Sequence, residues 1–228
     1  MWKDLLAALF NEDNLYIQAL NQSYEMLAMD LTMFEASIES LRHSDSAEIL
    51  IDVYKLDEQI NAYERDVRKK VMTHLTVTGS RDLAPGLVLT SVVVDIERIG
   101  DYTKNICDLA QNHPTRLHAG DLEERVKKIE INASDLFKDM ISAFKNSDED
   151  EARRIMEGYK EDVSRQSDEI AMQIVRGEAG GMSAGDATAV ALYVRYLKRI
   201  AAHSRNIITS VVNPFDRLGY KYAGGENG

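Results

Sequence analysis

Cysteine is nearly absent from this chain: one residue, Cys107, in 228. No disulfide framework and no cysteine-rich metal site can form within it, which fits a reducing, cytoplasmic setting. Only three prolines are present to break helices. Leu, Ala, Glu, Ile, Lys and Arg dominate, and that balance favours helix. No apolar run approaches the roughly 20 residues that a membrane-crossing helix needs, so contact with a membrane is expected only through a partner. The opening Met1–Phe10 stretch is apolar but short and contains Asp4. It runs into Asn11-Glu-Asp-Asn14 rather than a small-residue cleavage site, so it does not read as a signal peptide. Basic residues are in deficit, 27 against 38 acidic ones, for a net charge of −11. A nucleic-acid binder needs a basic face, so DNA and RNA are excluded as natural partners. A basic protein surface or a cation is the better counterpart.

What is present is helical periodicity. Residues 2–10 read as a short amphipathic helix, with Trp2, Leu5, Leu6, Leu9 and Phe10 on one side. Residues 15–42 carry Leu20, Tyr24, Leu27, Leu31, Phe34, Ile38 and Leu41 at helical spacing. A second long helix is expected over 47–75, broken at 76–86 by Gly79, Ser80, Asp82 and Pro85. A third spans 84–112 with the seam Leu89, Val92, Ile96, Ile99, Thr103, Ile106 and Ala110. Its steps alternate three and four, as in a bundle-packed helix.

After His113-Pro114 the plan repeats, with helices expected over 122–145, 148–176 and 187–212. Ser183 and Asp186 form a capping-box pair before the last. Tyr54-Lys-Leu-Asp57 echoes Tyr159-Lys-Glu-Asp162. Arg98-Ile99 with Asn105-Ile106 echoes Arg199-Ile200 with Asn206-Ile207. The reading is an all-α chain of two tandem three-helix bundles: an N-terminal helix within 1–14, bundles over 15–113 and 120–214, and a loose tail over 215–228.

The most informative run is Asp95-Ile-Glu-Arg-Ile-Gly-Asp101, continuing to Asn105. Glu97 and Asp101 lie four residues apart, so they share one face of the third helix, about 6 Å apart along its axis. Their repulsion costs about 0.2–0.5 kcal/mol, and a hard multivalent cation would reverse its sign. Against a metal stand Arg98 and Lys104, which can neutralise the pair from the same helix. Two carboxylates cannot fill a shell of about six oxygens. Asp57 and Glu58 on the second helix are the expected additional ligands, and Asp95 is assigned to Arg98. Cys107 reads as a structural thiol and Met26, Met29, Met33 and Met140 as core filling. The Gly-rich stretch 177–185 lacks a Gly-Lys-Ser/Thr ending and follows a helix, so it reads as a turn and not a phosphate loop.

In the Asp95–Asn105 run and the duplicated plan the chain resembles the PhoU family, accessory regulators of bacterial and archaeal phosphate uptake. The resemblance implies two tandem three-helix bundles with an acidic signature in each third helix. It implies bound metal, such as iron, zinc or magnesium, at Glu97 and Asp101, with no catalysis. It also implies a cytosolic homodimer acting between a phosphate transporter component and a sensor kinase. The second copy departs from the pattern: Lys198 and Ala202 stand where acids are expected, so no ligands are assigned there. The alternatives are a metal-free helical adaptor or, less favoured, a carboxylate-bridged bundle enzyme. The latter needs Glu-x-x-His motifs, and the chain has none.

Overall fold

Asn14 opens the first helix by accepting a hydrogen bond from Tyr16 N (2.8 Å) on its side chain. The structure, a computed structural model, describes residues 14–46, 49, 51–113, 115–158 and 162–220. The helix expected within 1–14 lies outside them. Helix α1 (Leu15–Ile38) ends in a π turn, Glu39–His43, that turns Ser40, Leu41 and Arg42 inward together. Helix α2 (Val53–Thr78) begins at Asp52, whose carboxylate caps Lys55 N (3.0 Å). It stops at Gly79, whose φ of 71° suits a residue without Cβ. Helix α3 (Leu83–Asn112) ends at His113, held extended as the residue before Pro114. Every residue of its expected seam is buried.

The second bundle holds α4 (Glu123–Asn146), α5 (Glu149–Gly158), α6 (Asp162–Val175) and α7 (Ala184–Val212). The sequence pattern predicts one helix over 148–176. The described residues place two helical pieces there, the first closing at Gly158, a poor helix former. The Ser183–Asp186 capping box is present. Helix α7 ends as α3 does, at an extended residue before a proline, Asn213. The tail does not hang loose at its start. Residues up to Tyr220 fold back: Gly219 N donates to Thr209 Oγ1 (2.7 Å) and Asn213 Nδ2 to Tyr220 O (3.1 Å).

The two bundles lie side by side with a continuous apolar core. Among the described residues the broadest interhelical contact is α3 against α7. Helices α1 and α4 add the edge-on pairs Phe34–Phe137 (5.7 Å) and Tyr24–Phe144 (5.6 Å). The Gly-rich loop is a close-packing device. Asp121 N donates to Gly180 O (3.2 Å), and a Cβ on Gly120 would collide with Gly180 and Gly181 backbone. No described helix is long and apolar enough to cross a membrane.

A buried polar clasp joins the bundles at the π turn. Leu117 N donates to Leu41 O (2.7 Å), and Arg42 donates back to Leu117 O. Arg42 Nε reaches Glu130 Oε2 (3.1 Å) and Nη2 reaches Glu123 Oε1 (2.5 Å), with the Arg42 side chain only 5% exposed. Tyr193 OH donates to the same Glu130 oxygen (2.8 Å). Removing one member of such a group strands a buried charge. Arg42→Met is therefore expected to lower unfolding stability by about 3–5 kcal/mol, measured by urea denaturation. Arg42→Met/Glu130→Gln should recover part of that loss, since a glutamine can still accept from Tyr193.

Candidate functional site

The acidic signature sits on one stripe of α3, facing α2 and the floor of the first bundle. Arg98 Nη1 pairs with Asp101 Oδ2 (2.9 Å), and its Nε lies 3.5 Å from Glu97 Oε2. Lys104 Nζ reaches across to Asp57 Oδ2 on α2 (2.7 Å) and lies 3.6 Å from Asp101 Oδ1. Asp57 thus converges on the motif as expected, through an ammonium. Glu58 does not join it; this side chain is exposed. Glu64, further along α2, pairs with Arg68 (2.8 Å).

Beneath the stripe lies Asp30 of α1, which the sequence reading missed. It is fully buried, and neither carboxyl oxygen has a hydrogen-bond partner among the described residues. Burial pushes its carboxyl well above the ordinary range, and Asp57, Glu97 and Asp101 add to that. Its room comes from Gly100 in the signature itself: a Cβ there would stand 2.7 Å from Asp30 Oδ1. Burial also raises Glu97, followed by the charge of Asp101. Cys107 is buried, its thiol pushed up to about 12 chiefly by desolvation, which makes it an inert structural thiol.

Asp95 corrects a sequence assignment. Its partner is not Arg98 but α7: Asp95 Oδ1 lies 2.7 Å from His203 Nδ1 and accepts from Asn206 Nδ2 (3.2 Å). Beside it Tyr102 stacks on His203 (5.8 Å between ring centres) and accepts from Arg199 Nε (3.1 Å). The Arg199 and Asn206 of the degenerate second copy therefore serve the contact between bundles. Lys198, where an acid was expected, pairs with Asp168 of α6 (2.5 Å), as does Arg195 (2.9 Å). Ala202 is exposed.

A metal ion needs several converging donors. Among the described residues no three His, Cys, Asp or Glu side chains form such a group. Arg98 and Lys104 stand among the carboxylates, paired with Glu97, Asp101 and Asp57. As arranged, these residues do not fit a metal.

Paired helical bundles with their third helices packed together, and one acidic stripe beside the seam, define a class of duplicated helical-bundle proteins. The PhoU domain matches this chain twice, over residues 23–110 and 126–211, and the chain belongs to the PhoU family, a family of regulators without catalysis. Among solved structures it is similar to PhoU from Pseudomonas aeruginosa, at 20% identity and a TM-score of 0.75, covering 89% of this chain and 97% of that one. It is also similar to the phosphate transport system regulatory protein PhoU from Streptococcus pneumoniae, at 17% identity and a TM-score of 0.68, covering 87% and 91%. At these identities the likeness speaks for the fold. No curated protein matches the chain.

Asp30 yields a pH prediction. Its folded-state value lies above its unfolded one, so ionisation opposes folding. That penalty is absent below about pH 4 and grows as pH rises towards the folded value, by up to about 1.4 kcal/mol per pH unit. Asp30→Asn, of the same shape, should match the wild type in urea melts near pH 4 and exceed it near pH 7 (~3 units higher).

Proposed function

We propose that this protein regulates phosphate uptake or phosphate signalling by docking on a transporter component or a sensor kinase, with no chemistry of its own. The observation that carries this reading is the double PhoU domain with its acidic signature on α3. The physical features agree with a docking role. The net charge of −11 favours a basic partner surface. Exposed ion pairs such as Lys138–Glu35 (2.9 Å) and Arg165–Glu169 (2.8 Å) are worth little individually, so their members can re-pair with a partner at small cost. Meanwhile the shared core and the Arg42 clasp keep the two bundles in one arrangement, and a preorganised surface binds with less loss of freedom.

In bacterial cells deleted for their own PhoU regulator, expression of this chain is expected to restore the dependence of phosphate uptake rate on external phosphate. In pull-downs, the purified chain should retain the transporter's ATPase subunit or the sensor kinase of its own organism. The complex should weaken as salt rises from about 50 to about 500 mM. Uptake that is the same with and without the chain, together with retention of neither partner, would overturn the proposal.

A further inference from the structure

We propose that Lys104 is the resident cation of the Glu97–Asp101 motif, a tethered ammonium that joins α3 to α2 in the place where a metal ion would otherwise bridge them. Its Nζ touches one carboxylate from each helix, Asp57 at 2.7 Å and Asp101 at 3.6 Å. The contact is sheltered, since Asp57 is 13% and Lys104 25% exposed. That places it between a screened surface pair and a buried one. Arg98 spans Glu97 and Asp101 from the outer side. Arg68 holds Glu64. Three cations thus face the four carboxylates Asp57, Glu64, Glu97 and Asp101, leaving little charge for a multivalent ion to neutralise.

The cluster is set over the core and not merely solvated. A buried carboxyl, that of Asp30, with no hydrogen-bond partner among the described residues lies under the motif, admitted by Gly100. A related pair stands in the second bundle, at the place of Glu97 and not of Lys104. Lys198 of α7 is tied to Asp168 of α6 at 2.5 Å, again a lysine from the third helix on an aspartate from the segment preceding it. A tethered ammonium loses less freedom on binding than a free ion, and it repels any ion that approaches the same oxygens.

The test is isothermal titration of the chelator-treated full chain with manganese(II) and with zinc(II), alongside elemental analysis and thermal melts. The wild type should bind neither ion stoichiometrically, and its melting temperature should not move when metal is added. Lys104→Gln should melt lower than the wild type without metal. Lys104→Glu should bind manganese(II) about tenfold or more tightly than the wild type and regain melting temperature on its addition. Adding Asp101→Asn to that variant should abolish the gain. Lys104→Arg, which keeps the charge, should continue to refuse metal. Stoichiometric metal in the wild type that Glu97→Gln/Asp101→Asn removes would overturn the proposal. So would a Lys104→Gln protein that melts like the wild type while Lys104→Glu gains no metal. Should the Lys104 variants fail to fold, the wild-type titration decides alone. The inference goes beyond the regulatory reading, and its readouts are independent of phosphate uptake, so either can fail without the other.

Discussion

The third helix of each bundle is buried twice, once against its own bundle and once against the other third helix. For α3 this divides the cylinder into three stripes. Ile96, Ile99, Thr103 and Ile106 close the first core. Asp95 and Tyr102, seven residues apart, face α7. Glu97, Asp101, Lys104 and Asp108, at steps of four, three and four, take what remains. The acidic stripe is narrow because the other two have used most of the surface. It lies beside low-dielectric protein, which is why Glu97 feels desolvation before it feels its neighbours. Charge on such a stripe has to be answered locally, and the answer reaches across to α2.

Four buried or half-buried acids receive three different treatments. Glu130 is held by Arg42 and Tyr193, so its charge is satisfied and becomes part of the clasp between bundles. Asp101 and Asp57 share Lys104 at the edge of solvent. Asp30 has no partner among the described residues and is pushed towards its neutral form instead. Burying a carboxylate is tolerable only by pairing it or by keeping its proton. The molecule uses the first course where bundles must be joined and the second beneath the motif.

The helical plan was readable because periodicity, caps and breakers all agreed: the α3 seam, the Ser183–Asp186 box and the stops before Pro114 and Pro214 are local features. The site was readable only in part. Glu97, Asp101 and Asp57 share a neighbourhood, as topology suggested. Asp30 hid beside Leu31, which the apolar spacing had placed in the core. The helix is rotated so that Asp30 and Met33 go inside and Leu31 is only partly covered. An acid three residues after Leu27 and four before Phe34 was the available signal. Asp95 misled because Arg98 sits at ideal helical spacing. His203 and Asn206 are more than a hundred residues away, and no local rule can weigh such a partner against a near one. The Arg42 clasp was invisible for the same reason.

The duplication shows how one sequence frame can serve two chemistries. Arg98 and Arg199 occupy corresponding places, yet Arg98 turns to Glu97 and Asp101 while Arg199 lies over the Tyr102 ring (5.5 Å). Asn206 binds Asp95 of the first motif. The second third-helix therefore keeps its frame because those residues hold the two bundles together, a demand that persists whether or not acids stand at 198 and 202. Lysine at 198 and alanine at 202 are what that demand leaves free to change. The first copy keeps its acids where its lysine and arginine already balance them. The asymmetry between the two motifs follows from α7 spending its polar residues on the contact with α3 and on Asp168, and α3 keeping Glu97 and Asp101 on the stripe that contact does not reach.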